Sequence, residues 1–279
     1  MKQFSRHLVG VIAITMAGCL AADSKILATG GATQLEGQAG GGIVPWAVIS
    51  GYGDHGEWGG AVAYTRVNVD DFGLDVGSVS IGILDRIELS YSRQSLDVKP
   101  LGIEIEQDIV GGKFRLAGDL IYNAMPLLTL GAQYKKNRDF LVPSLVGAND
   151  DSGVDLYLAG AKLWLGGLAG RNVFANGTLR YTEANQIGLL GFGSNGGSDY
   201  SLQFEGSAGI FLTRQIALGV EYRQKPDNLA AVKEDDWYDL WLAWFPNKRV
   251  SLVAAYSDLG SIAGLPDQSG WYLSIEISE

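Results

Sequence analysis

An alternation of period two runs through almost the whole chain and limits what it can fold into. In Ile216–Arg223 the residues Ile216, Leu218, Val220 and Tyr222 are apolar, whereas Ala217, Gly219, Glu221 and Arg223 are small or charged. Segments 200–206, 250–257 and 271–278 repeat the pattern. Side chains on a strand point to opposite faces in turn, so these are strands with one apolar and one small or polar face. Past residue 23 no stretch has a helical period, and none reaches the roughly 18 consecutive apolar residues that a membrane-crossing helix needs.

Such strands fit either a soluble sandwich, with the apolar faces inside, or a membrane barrel, with those faces turned to lipid. Three features favour the barrel. The strands are about 10–13 residues long, against ~5–6 in ordinary sheets. Their polar faces are rich in Gly, Ala and Ser, which suits a crowded interior; Gly is 39 of 279 residues. Aromatic residues recur near strand ends, among them Tyr64, Tyr91, Tyr134, Tyr181, Tyr200, Tyr222, Trp244, Tyr256 and Trp271, as they do at membrane interfaces.

The sequence therefore predicts an all-β, antiparallel transmembrane β-barrel of about fourteen strands. They are expected near 31–38, 43–53, 57–69, 73–83, 86–97, 104–118, 126–137, 152–166, 171–183, 200–213, 216–225, 234–245, 248–258 and 269–278. Connections after even-numbered strands are mostly tight, and those after odd-numbered strands are often long. This is the pattern of short periplasmic turns and longer outer loops. The segment 31–38 carries the weakest pattern. Losing it alone would put the N-terminus on the outer side, so the alternative count is twelve, not thirteen. The chain ends Ile277-Ser278-Glu279, without the terminal aromatic residue of many such barrels.

The first residues set the compartment. Lys2 and Arg6 precede an apolar run from Leu8 to Gly18, followed by small residues with Ala21 and Ala22 as cleavage candidates. Residues 1–21 are expected to be a secretory signal peptide, with the barrel occupying 22–279. Cys19, the only cysteine, sits in Met16-Ala17-Gly18-Cys19, a sequence similar to a bacterial lipobox; otherwise it is a small residue at the cleavage site. Removing residues 1–21 leaves 19 basic against 31 acidic residues. That balance argues against nucleic acid as a partner, because phosphate binding needs a basic face.

GYGDHG at 51–56 and GFGSNG at 191–196 both match G-x-G-x-x-G. A dinucleotide site needs a strand before this motif and a helix after it. Residues 57–65 have no helical period, so 54–56 read as a hairpin turn. No cofactor is implied. His55 is the only histidine of the mature chain, too little for a multi-histidine metal site, and it is the sole candidate base for a hydrolase.

Turning the apolar faces to lipid places Lys113, Arg115, Arg180, Gln203, Glu205, Glu221, Arg223, Asp239 and Glu276 in the lumen. A three-residue connection at 213–215 would set Glu205 directly opposite Arg223 as a cross-strand ion pair. These residues either line a pore or form a salt-bridge ladder in a narrow or plugged lumen. Glu234, Asp235 and Asp236 form an acidic run in an outer loop. It could bind Ca²⁺ or bridge lipopolysaccharide cations, or be a solvated turn.

Several longer motifs carry a resemblance: Ala28-Thr29-Gly30-Gly31 leading to Gly40-Gly41-Gly42, Gly131–Lys135, Asp150–Asp155, Lys225-Pro226-Asp227-Asn228-Leu229, Glu234–Asp239 and Ala243–Lys248. Together they resemble an uncharacterised proteobacterial family, domain of unknown function 3034, over nearly all of the mature chain. The resemblance implies an outer-membrane β-barrel of unassigned activity and supplies no catalytic residues. The expected function is passive passage or binding of a small solute. The alternatives are a closed structural or assembly barrel that partners an envelope export system and, third, an envelope hydrolase. Expected partners are outer-membrane lipid, lipopolysaccharide and the barrel-assembly machinery.

Overall fold

The computed structural model describes residues 25–194, 200–229 and 232–279. The expected signal peptide, Cys19 and the end of the second glycine motif lie outside these residues.

Twelve strands form the wall: β3 (Trp58–Val69), β4 (Phe72–Ile83), β5 (Ile87–Val98), β6 (Ile103–Ala117), β7 (Leu127–Asn137), β8 (Ser152–Leu168), β9 (Arg171–Thr182), β10 (Ser201–Phe211), β11 (Ile216–Arg223), β12 (Trp237–Asn247), β13 (Val250–Asp258) and β14 (Ser269–Ser278). Each pairs antiparallel with the next, and β14 pairs with β3, so the sheet closes on itself without a free edge. Two further strands, β1 (Ala32–Thr33) and β2 (Ala39–Gly40), pair with each other, and Gly40 also bridges Pro45.

The alternation sorts as expected. Val62, Leu89, Leu130, Leu158, Leu240 and Ile275 are exposed on the outer surface, while their chain neighbours turn inward. Tyr64, Tyr91, Tyr134, Tyr181, Tyr256 and Trp271 are exposed on the same face, and aromatic rings meet across strands, tilted in Tyr222–Tyr238 at 5.1 Å and edge-to-face in Tyr256–Trp271 at 5.5 Å. On the first wall strands charge begins just beyond this row. Tyr64 and Tyr91 donate to Asp75 and Asp108, which also pair with Arg66 and Arg93. An apolar band with an aromatic edge and charge above it is the outer surface of a membrane barrel. Among the described residues no helix is long and apolar enough to cross a membrane.

The strand count corrects the expectation of fourteen. Segments 31–38 and 43–53 are not in the wall. Residues 30–53 are buried without interruption and fill the lumen. A wall strand shows one face to lipid, whereas this segment meets protein on every side, so it forms almost no ladder beyond the short β1–β2 pair. It starts at the end of the barrel that holds the short turns, where Lys25 pairs with Asp85 at 2.7 Å. It rises to Gly37, whose φ of +86° makes the reversal, and returns through Pro45. It leaves beside the C-terminus, where the Glu279 carbonyl accepts the amides of Tyr52 and Gly60. Gly51 is needed at this corner: a Cβ there would lie 2.5 Å from the Gly60 nitrogen. Twelve strands return both ends of the barrel to one side, matching the alternative count.

The other end is closed from above. In the β9–β10 connection a 3₁₀ turn, Asn185–Gly188, folds into the mouth and is buried. Two apolar clusters pack between plug, lid and wall. The one at the turn end gathers Trp46, Leu163, Phe174, Phe211, Trp241 and Phe245 around a cavity of about 30 Å³. The one at the loop end gathers Leu35, Ile43, Val67, Leu74, Leu189 and Trp237 around another of about 30 Å³. A void of that size holds about one water molecule. The described lumen is thus a packed core with a charged centre.

Candidate functional site

The charged centre is built around Glu36, which lies near the top of the plug and is 0 % exposed. Its carboxylate accepts from Arg180 Nη2 at 3.0 Å, from both Arg223 Nη1 and Nη2 at 3.0 Å, and from Lys135 Nζ. Burial works against the Glu36 charge, but the Arg180 and Arg223 guanidiniums and the Lys135 ammonium outweigh it and hold the carboxyl well below its usual range. The three cations come from β9, β11 and β7, so one plug residue ties together three alternate strands of the wall.

Wall carboxylates complete the network. Arg180 also bonds Asp155 at 3.0 Å and Glu205, and its guanidinium lies 5.4 Å from the centre of the Tyr157 ring. Lys135 pairs with Asp155 at 2.6 Å and donates to the lid carbonyl of Ile187 at 3.1 Å, so plug and lid meet on one ammonium. Glu205 and Arg223 are directly opposed across β10–β11, 3.5 Å apart. Such a network satisfies every charge it buries, and removing one member leaves the others uncompensated.

The remaining sequence candidates distribute around the plug. Lys113 pairs with Glu88 at 3.2 Å and donates to the plug carbonyls of Ala39 and Val48 at 3.0 and 2.8 Å. Glu221 accepts the plug amides of Gly42 and Ile43 at 2.7 and 2.8 Å and the Trp46 indole N–H at 3.0 Å. Glu276 accepts from the Thr33 hydroxyl at 2.6 Å. Gln203 is buried and donates to Ser201 at 2.7 Å. Asp239 is buried opposite Glu221 on β12. Arg115 is only partly buried, at the turn-end mouth, where it pairs with Asp85 and with Asp119 at 3.6 Å.

Sequence reasoning missed Glu36, Glu88, Lys135 and Asp155. For Lys135 the signal was present: in β7 the residues Thr129, Gly131, Gln133 and Lys135 share one parity and face inward together. Glu36 gave no such signal, because its segment has no lipid-facing side.

The loop acids do not act together. Glu234 is buried under the lid, where it accepts the Gln186 amide at 3.0 Å and pairs with Lys225 at 3.6 Å. Burial pushes Glu234 up to about 7 and Lys225 down to about 8. Asp235 bonds Lys233 and caps Ser261, and both interactions lower it to about 2. Asp236 accepts from Tyr222 at 2.7 Å and from the Lys225 amide. Among the described residues no three acidic, histidine or cysteine side chains gather as around a metal. His55 is exposed in its turn, its amide bonded to Asp54.

Comparison with known proteins agrees with this architecture. A family model described as "Protein of unknown function (DUF3034)" matches residues 29–276. No curated protein matches the chain. Among solved structures, the KdgM porin aligns with a TM-score of 0.51 at 10 % identity, covering 78 % of this chain and 98 % of that one. The COG4313 outer membrane channel from Pseudomonas putida F1 aligns at 0.46 and 14 % identity, with 85 % and 96 % covered, and the NanC porin at 0.45 and 12 %, with 79 % and 98 % covered. The likeness to the KdgM porin is one of fold.

Proposed function

For a chain that belongs to the Protein of unknown function (DUF3034) family, we propose the role of an outer-membrane channel closed at rest by its own N-terminal segment. The observation that carries this reading is how the plug is held at its centre. The wall presents Lys113, Arg180, Glu221 and Arg223 inward, and the plug meets them largely through backbone amides, carbonyls and the Glu36 carboxylate. These central polar contacts exchange for water at smaller net cost than the apolar packing of Leu35, Ile43 and Trp46 on either side of them. Displacing residues 25–53 would leave a mixed-charge constriction between two apolar chambers, suited to a small solute with both charged and apolar parts. The turn end, where the plug enters, would face the periplasm. The apolar band and its aromatic edge fit outer-membrane lipid and lipopolysaccharide, and insertion would run through the barrel-assembly machinery.

A second reading, a permanently closed structural barrel, is favoured by the inward apolar residues Leu163, Phe174, Trp241 and Phe245. Planar-bilayer recording separates the two. The channel reading expects a silent wild type and steady conductance from a chain whose residues 28–50 are replaced by a short Gly-Ser linker. A folded, inserted plugless barrel that stays silent at every voltage would refute it in favour of the second.

A further inference from the structure

The interior charges do not balance locally. Lys113 matches Glu88, and Lys135, Arg180 and Arg223 match Glu36, Asp155 and Glu205. Glu221, Asp239 and Glu276 make no such pair among the described residues; Glu276 accepts from Thr33, whereas Glu221 and Asp239 lie directly opposite each other across β11–β12. Like charges at directly opposed positions repel, and more strongly when buried.

Their surroundings differ in an informative way. Glu221 takes up donors on both oxygens: the Gly42 and Ile43 amides on one, the Trp46 indole and the Ser207 hydroxyl on the other. Four donors stabilise a charged carboxylate. Asp239 is 5 % exposed, and neither of its oxygens has a hydrogen-bond partner among the described residues. Ser257, its direct partner across β12–β13, is 1 % exposed, and its hydroxyl also has no partner among the described residues. Buried polar atoms are almost always satisfied, so two orphaned neighbours point to something both of them bind. Both carboxylates border the same plug residue. A Cβ on Gly42 would lie 3.2 Å from Asp239 Oδ2 and 3.5 Å from Glu221 Oε2, so glycine there lets the two approach one spot.

We propose that Asp239 and Ser257 bind a small hard metal cation, with the Glu221 carboxylate as its neighbouring counter-charge, and that this cation seats plug residues 41–46 against β11 and β12. Both donors are oxygen ligands, one of them a carboxylate, and a second carboxylate stands beside them, which selects Ca²⁺, Mg²⁺ or Na⁺ over thiophilic metals. A bound cation would remove the Glu221–Asp239 repulsion, give the Asp239 oxygens and the Ser257 hydroxyl their missing partner, and leave the four donors of Glu221 in place. The position is strategic: Asp239 lies between Trp237, which borders the upper cavity, and Trp241, which borders the lower one. The inference stands whether the barrel opens or remains closed.

Chelator-treated full-length protein in detergent provides the test, with Ca²⁺ as the first probe and Mg²⁺ and Na⁺ in parallel. Equilibrium dialysis with radioactive Ca²⁺ counts sites, and tryptophan fluorescence reads the surroundings of the seven tryptophans, of which Trp237 and Trp241 flank Asp239. The wild type is expected to bind one more interior Ca²⁺ than Asp239→Asn, with a fluorescence change that the variant lacks. Ser257→Ala is expected to bind that ion about tenfold more weakly. Asp235→Asn, a surface change, should leave the count unaltered. Equal stoichiometry and fluorescence in wild type and Asp239→Asn for all three cations would overturn the proposal. So would stability that follows pH but no cation, since Asp239 would then hold a proton. Should Asp239→Asn fail to insert, Ser257→Ala with unchanged affinity overturns it on its own.

Discussion

Exchanging Glu36 for glutamine removes one negative charge at the centre of the barrel and keeps the side-chain shape. Lys135, Arg180 and Arg223 then face only Asp155 and Glu205 nearby, and one buried positive charge is left uncompensated. Removing one partner from a buried ion pair costs about 3–5 kcal/mol. The amide retains part of the hydrogen bonding, so the lower end applies, about 3 kcal/mol. The wall is closed by its own twelve-strand ladder, whereas Glu36 belongs to the plug, so the loss falls on plug docking. At about 1.4 kcal/mol per tenfold, the docking equilibrium shifts by roughly a hundredfold. Native-state hydrogen exchange reads this directly. Amides of residues 30–50 should lose roughly two orders of magnitude of protection in Glu36→Gln, while amides of β4, β5 and β6 keep theirs. Protection of 30–50 within about threefold of wild type, or an equal loss across the wall, would refute the assignment of Glu36 as the plug's latch.

Other perturbations follow from local geometry. In Gly82→Ala the new Cβ would meet the Ser50 carbonyl oxygen at 2.2 Å. Overpacking against backbone costs ~1–3 kcal/mol, so thermal melting should show a lower midpoint, whereas Gly77→Ala, with open space around its Cβ, should not. The lid is expected to respond to pH through Glu234. Its folded value of about 7 lies above that of an exposed glutamate, so its contribution is full below about pH 4.5 and is lost as pH rises through 7. Lys225, lowered to about 8, contributes fully above its ordinary value of about 10.5 and loses this as pH falls through 8. Exchange protection of residues 185–190, corrected for intrinsic rates, should therefore fall between pH 5 and 7.5 in the wild type. In Glu234→Gln it should stay flat, and a parallel fall there would remove Glu234 from the account.

The wall was legible because lipid on one side and a polar interior on the other impose a strict period of two, and Ile216–Arg223 shows it without exception. The register at the β10–β11 hairpin was legible too, since the loop length at 213–215 sets Glu205 against Arg223. The plug was not. Residues 31–38 and 43–53 have enough alternation to imitate strands, but a segment packed on every side obeys no face rule. One signal pointed the other way: Pro45, inside the expected strand 43–53, cannot donate to a central ladder. Glu36 could not be picked out from sequence, because its partners Lys135, Arg180 and Arg223 lie on three wall strands far away in the chain. The glycines of GYGDHG have a related explanation, because Gly51 and Gly53 allow the plug to pass under the rim beside β3.

Plug and wall touch most testably at Ser50 and Ser80, whose hydroxyl oxygens are 2.6 Å apart. Cys19 is the chain's only native cysteine, so the pair Ser50→Cys and Ser80→Cys can be oxidised with little competition. A disulfide spans about 2.05 Å between sulfurs, close to the separation these side chains already have. In a fourteen-strand wall, residues 50 and 80 would sit on strands with another between them and could not join. With the plug inside a twelve-strand barrel, oxidation in intact membranes should give near-complete intramolecular cross-linking, seen as a mobility shift reversed by reductant. Two free thiols that remain open to maleimide after oxidation would contradict a lumen closed by the N-terminal segment.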